Sequence, residues 1–274
     1  MTKPKIGIFN FSGCAGCQLS ILDLENELID ILNLVDIIDF RMAMTGNTQG
    51  PYDILFVEGS IVNKEQEEKL IELRKKAKIL VAMGSCACFG GVQAIRNFKN
   101  DSQIRSIVYG AEGVNYFPVF KVKPINKIVN VDYYLLECPV NKNDFLEFVK
   151  YVLIGGKPKL PNLPVCHQCK AKGNRCLFLE DGIICMGPVI QSGCNALCPT
   201  HNLPCDGCRG STLEAAYQQQ IDLIIKKGAN VQDITNYVLK FNGEDPQVKE
   251  FLLKIWKDQD KSLKFDEEKK SEVK

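Results

Sequence analysis

Cys166, Cys169, Cys176, Cys185, Cys194, Cys198, Cys205 and Cys208 follow one another with two to eight residues between neighbours. Thiolates so closely and repeatedly spaced are soft donors, the kind that hold iron–sulfur clusters or zinc. Taken in order they form two sets of four, Cys166-x2-Cys169-x6-Cys176-x8-Cys185 and Cys194-x3-Cys198-x6-Cys205-x2-Cys208. Interleaved sharing between the sets is the alternative, although the C-x2-C-x2-C-x3-C run of two-cluster ferredoxins is absent.

Five further cysteines come earlier. Cys14 and Cys17 form Cys-Ala-Gly-Cys after the apolar run Lys5–Phe11, Cys86 follows the run Lys78–Met83, and Cys138 follows Tyr133–Leu136. Each run reads as a strand, so these four thiols belong to loops at strand carboxyl ends. In an open parallel sheet those ends share one edge, where ligands bind. Cys14, Cys17, Cys86 and Cys138 are therefore expected to converge on one site, and twelve thiolates would serve three 4Fe–4S clusters. Cys88 has no partner in this scheme and reads as a packing residue. His167 and His201 sit beside complete sets, where a histidine more often donates a hydrogen bond to sulfur than ligates.

The elements that must position these residues alternate up to about residue 155. Strands are expected at Lys5–Phe11, Val35–Phe40, Asp53–Val57, Lys78–Met83 and Tyr133–Leu136, with helices at Gln18–Leu34, Lys64–Lys76 and Asn143–Leu153. Strands separated by helices imply right-handed crossovers and a flavodoxin-like, doubly wound parallel α/β sheet. The stretch Asn97–Pro124 follows no clear pattern. Gly155–Pro164, rich in proline and glycine, reads as a linker. The cysteine-dense segment beyond it holds too little apolar material for an independent core and is expected to use metal as a staple. Helices are expected at Gly210–Lys227 and Asp233–Lys240. The domains are then 1–155, a sheet domain; 156–242, a loop-rich iron–sulfur domain closed by helices; and 243–274, a helical and charged tail ending in KDQDKSLKFDEEKKSEVK.

Composition narrows the classes. The chain has 274 residues, 45% of them apolar, and a net charge of +1, which gives no electrostatic case for nucleic acid or acidic membranes. The opening MTKPKIGIFNF reads as a strand rather than a secretory signal, and no run reaches the length of a spanning helix. A cytoplasmic protein without direct membrane insertion is expected. In that compartment thiols stay reduced, so dense cysteine favours metal over disulfides.

The motifs Cys14-Ala-Gly-Cys17, Val57-Glu58-Gly59-Ser60, Gly84-Ser85-Cys86-Ala87-Cys88-Phe89-Gly90-Gly91, Glu137-Cys138-Pro139, Cys185-Met-Gly-Pro188 and Cys205-Asp-Gly-Cys208, in this order, resemble the small subunit of nickel–iron hydrogenases. The resemblance spans roughly residues 5–212. It is closest to the cytoplasmic group 3 enzymes, such as the methyl-viologen-reducing hydrogenase small subunit and the sulfhydrogenase delta subunit. It implies that Cys14, Cys17, Cys86 and Cys138 bind a proximal 4Fe–4S cluster facing a separate large subunit. By the same resemblance Cys194, Cys198, Cys205 and Cys208 bind the medial cluster, and Cys166, Cys169, Cys176 and Cys185 the distal one. Cys166 stands where many periplasmic relatives have histidine. Cys198 supplies a fourth medial thiolate that several of them lack.

The resemblance implies an oxidoreductase subunit that carries electrons and is not catalytic alone. It also implies a further iron–sulfur or flavin electron-transfer subunit as partner. Heterodisulfide reductase, a nicotinamide-reducing flavoprotein and a deazaflavin reductase are all compatible acceptors. Two other readings compete: a complex-I-type iron–sulfur relay subunit, which lacks the later eight cysteines, and a zinc-stabilised binding module.

Overall fold

The computed structural model describes residues 3–113, 121–156, 158 and 161–256. The chain begins with β1 (Lys5–Asn10), α1 (Gly16–Leu22), α2 (Asn26–Leu34), β2 (Asp36–Phe40), β3 (Tyr52–Glu58), α3 (Lys64–Lys76) and β4 (Ala77–Met83). It continues with α4 (Gly84–Phe89), a 3-10 turn at Val92–Phe98, α5 (Asp101–Gly113), β5 (Tyr133–Leu135) and α6 (Lys142–Leu153). The strands pair in the order β2-β1-β3-β4-β5, every pair parallel. This is the expected doubly wound topology.

Alternation along the strands sends side chains to two cores. Ile6, Ile8, Ile54, Phe56, Val81 and Met83 meet Ile21 of α1, Ile31 of α2 and Phe145 and Phe148 of α6. Leu55, Val57, Leu80 and Ala82 meet Leu70 and Leu73 of α3 and Ala87 of α4 on the opposite face. Gly7 admits this packing, because a Cβ there would stand 2.5 Å from the Tyr52 ring.

Register fixes the functional edge. Asn10 pairs with Glu58, Glu58 with Met83, and Met83 with Leu135. These four residues form one row across the carboxyl ends of the central strands, and the segments leaving it carry Cys14 and Cys138 in loops but Cys17 and Cys86 in the first turns of α1 and α4, not in the loops expected.

Three expectations need correction. The single helix Gln18–Leu34 is two helices, α1 and α2, broken where Glu25 takes φ 51°. The break lets Leu24 drop into the core, while Leu19 and Ile29 stay exposed (53% and 58%). The helix expected from Gly210 starts only at Tyr217. Gly210 has φ 77°, and Ser211 instead bridges Ile190 and is held by the Asp245 carboxylate. Asn97–Pro124 contains the whole of α5, kinked at Gly110, and residues 114–120 of that stretch lie outside the described ones.

The second half of the chain comprises α7 (Val165–Ala171), α8 (Leu177–Asp181), α9 (Leu197–Thr200), α10 (Tyr217–Lys226) and α11 (Val231–Asn242), then a helical stretch at 246–256. These share one core. Val165, Phe178, Met186 and Ile190 of the cysteine segment pack with Ile221, Ile224, Ile234 and Val238 of α10 and α11. Val248, Phe251 and Leu252 complete it. The cysteine segment thus borrows its apolar partners from the helices that follow. The charged stretch 257–274 lies outside the described residues.

Candidate metal centres

The first set assembles on the row just described. Ala15, at φ 61°, turns the chain into α1. Cys14 Sγ accepts the Gly16 N–H at 3.4 Å, and Cys17 Sγ accepts the Val140 N–H at 3.4 Å. Gly84 (φ 83°) lies so close to Cys17 that a Cβ would overlap its sulfur, and a Cβ on Gly91 would stand 2.5 Å from Cys86 Sγ. The four thiols act on one another. Burial pushes Cys86 up to about 12, with Cys138 and Cys14 adding to it. Burial likewise raises Cys138, with Cys14 next, and raises Cys17, with Glu58 next.

Glu58 is the buried charge of this site, 3% exposed at the end of β3. Its Oε1 accepts the Cys17 N–H and its Oε2 the Gln18 Nε2, both at 3.0 Å.

The other eight cysteines fall around two cavities. Cys166, Cys169, Cys176 and Cys185 line one, with Phe178 and Gly187. Burial pushes Cys166 up to about 12, followed by the charges of Cys185, Cys169 and Cys176. Cys194, Cys198, Cys205 and Cys208 line the other, a space of about 470 Å³ that also reaches Cys138. Burial pushes Cys208 up to about 12, with the nearby Cys138 backbone opposing the rise. Burial raises Cys205 well above the ordinary thiol value, with Cys185 the next cause. The Cys205 N–H donates to Cys185 Sγ at 3.3 Å. The three sets therefore lie in series: Cys138 of the first lines the cavity of the second, and the second meets the third at Cys205 and Cys185.

A thiol that resists ionisation in a buried site becomes a ligand by exchanging its proton for a metal cation. Four thiols around each space fit an iron–sulfur cluster in donor type and number. Among the described residues, no three His, Cys, Asp or Glu side chains gather closely enough to hold a single ion. Cys88 packs, 2% exposed, with its thiol near the Ala82 and Leu135 carbonyls. His167 and His201 are exposed.

Sequence reasoning passed over several residues. Glu58 was visible as an acid closing an apolar strand. Arg209, directly after Cys208, is 1% exposed and forms ion pairs with Glu137 and Asp144. Its partners lie far away in the chain, so no local pattern announces them. Ser85 Oγ donates to the Cys208 carbonyl.

Known proteins match this arrangement. The family of the NADH ubiquinone oxidoreductase 20 Kd subunit matches residues 14–152. The sulfhydrogenase 2 subunit delta of Pyrococcus furiosus is 33% identical over 77% of this chain and 87% of its own length. A subunit of the F420-non-reducing hydrogenase of Methanocaldococcus jannaschii is 30% identical over 84% of this chain and 86% of its own length. Among solved structures, a chain of an NAD+-reducing [NiFe]-hydrogenase in the H2-reduced state superposes with TM-score 0.53 at 31% identity, covering 58% of this chain and 96% of that one. The chain belongs to the NADH ubiquinone oxidoreductase 20 Kd subunit family and, within it, to the small, electron-transferring subunits of group 3 nickel–iron hydrogenases.

Proposed function

We propose that this subunit conducts electrons through three 4Fe–4S clusters held in series. The proximal set is Cys14, Cys17, Cys86 and Cys138, the medial set Cys194, Cys198, Cys205 and Cys208, and the distal set Cys166, Cys169, Cys176 and Cys185. When bound, such clusters each take up and release one electron at a time. The observation that carries the reading is the placement of the sets in series: Cys138 lines the cavity of Cys194, Cys198, Cys205 and Cys208, and the Cys205 N–H donates to Cys185 Sγ.

The chain's residues shape that path. Cys14 is exposed at the sheet edge, the side we assign to the large subunit and its nickel–iron site. Buried Glu58 places a negative charge beside the proximal set. At the far end Cys166 and Cys176 are half-buried, the side we assign to a further iron–sulfur or flavin subunit, heterodisulfide reductase among the candidates. Among the described residues no helix is long and apolar enough to cross a membrane. We assign the complex to the cytoplasm because twelve ligand thiols need a compartment that keeps them reduced.

Anaerobic purification tests the reading. A brown chain with about twelve iron atoms is expected, and a colourless zinc protein would overturn it.

A further inference from the structure

The three cysteine sets account for twelve residues, yet the most buried large polar side chain belongs to none of them. Arg209 Nη1 meets Asp144 Oδ2 at 2.9 Å and Glu137 Oε2 at 2.5 Å, while its Nε donates to the Ser192 carbonyl at 2.9 Å. Each partner neighbours a ligand or its support. Glu137 precedes Cys138, Ser192 lies two residues before Cys194, and Arg209 itself follows Cys208. Asp144 belongs to α6 of the sheet domain.

Room for the guanidinium is built in. Gly193 has φ 124°, and a Cβ there would overlap the Arg209 head. The Gly193 N–H is in turn held by Gln168 Oε1 at 3.0 Å, next to Cys169. A planar fork with donors in fixed directions suits such a three-way junction, and a lysine ammonium does not reproduce it. A second tie lies alongside: Ser85 Oγ donates to the Cys208 carbonyl.

We propose that Arg209 is a positioning residue that clamps the Cys138 loop of the sheet domain to the Cys194 and Cys208 loops of the second domain, fixing the separation of the first two clusters. This rests on the cluster assignment proposed above. A buried charge retained at such a junction is best understood as a device for register, since ion pairs buried this deeply add little net stability over apolar replacements. The clamp acts on geometry: releasing it leaves all twelve thiols in place but loosens the step between the first and second sets.

The test uses the full chain, purified anaerobically with whatever subunits accompany it. One variant combines Arg209→Met, Glu137→Gln and Asp144→Asn, removing all three charges at nearly constant volume; the other is Arg209→Lys. Both are expected to keep the wild-type iron content. In fully reduced protein, the EPR splitting from magnetic interaction between the proximal and medial clusters should narrow in both. Midpoint potentials should rise in the triple variant, which loses a net negative charge, and stay at wild-type values in Arg209→Lys, which loses none. That dissociation of splitting from potential is what positioning predicts. Unchanged splitting in an iron-replete variant would overturn the role of Arg209, and Arg209→Lys alone decides the matter where the triple variant does not fold. Wild-type protein lacking any interacting pair of clusters would instead overturn the assignment on which the clamp rests.

Discussion

Glu58 Oε1 accepts the backbone N–H of Cys17 at 3.0 Å, so a buried carboxylate is fastened to the first turn of α1, which carries part of the first cysteine set. A negative charge held there opposes the arrival of an electron. Glu58→Gln keeps an acceptor for the Cys17 N–H and removes the charge. The midpoint potential of the proximal cluster should rise by on the order of 60 mV, a tenfold change for a one-electron couple. Redox titration followed by EPR measures it, and an unmoved potential would show that Glu58 does not sense the cluster.

Cys198 stands in the cavity shared by Cys194, Cys205 and Cys208. Cys198→Ser should change only one cluster signal, distinct from the one changed by Cys169→Ser. Two variants altering the same signal would show that the eight later cysteines are shared across the sets.

Gly84 combines φ 83° with a position at which a Cβ would overlap the Cys17 sulfur. Gly84→Ala strains the backbone and displaces a ligand at once. The variant should lose about four iron atoms and more than about 1 kcal/mol of stability. Iron analysis alongside denaturant unfolding checks both parts, and full iron content would refute the close-approach argument.

Leu252 is fully buried in the core that also holds Cys169 and Cys205. Leu252→Ala should destabilise the protein by about 2–5 kcal/mol. It should also release iron from the later sets at lower denaturant than from the first, although it touches no cluster. Simultaneous release from all three sets would mean that the two cores unfold as one.

Asp53 ties three strands at their amino ends, accepting from Lys78 Nζ and from the Lys5 backbone N–H, both at 2.7 Å. The Lys78 hydrogen bond is the main reason that its carboxyl sits below the ordinary aspartate value, with the Lys5 N–H next. A depressed carboxyl contributes stability that is complete above its unfolded value near 3.8 and lost as pH falls through the lower folded one. Asp53→Asn should therefore be less stable than wild type at neutral pH, with the gap closing as the solution is acidified below about pH 4. Unfolding curves across that range measure the gap, and a gap independent of pH would point to some other cause.

The sheet was readable because its strands are short apolar β-branched runs bounded by turn residues, and because the cysteines stand just beyond them. The expectation that Cys14, Cys17, Cys86 and Cys138 converge came from parallel topology alone. The break at Glu25 was hidden, since Gln18–Leu34 keeps a helical apolar period on both sides of a single residue with positive φ. The late start of α10 was hidden for a similar reason: Ser211 is claimed by Asp245, thirty-four positions away. Arg209 lay beyond reach because a charged residue after a cysteine usually faces solvent, and only the folded chain shows it enclosed by Glu137 and Asp144.

The row Asn10, Glu58, Met83 and Leu135 has a consequence for how the protein matures. On the proposed assignment the distal thiols lie close together in sequence, although their apolar support comes from the helices that follow. The proximal thiols meet only after β1, β4 and β5 have taken their places, a pairing of high sequence separation and so late in folding. Iron offered to a nascent chain finds two thiols at Cys14 and Cys17 and no completed site. If that first set holds the proposed cluster, its loading reports that the sheet has closed.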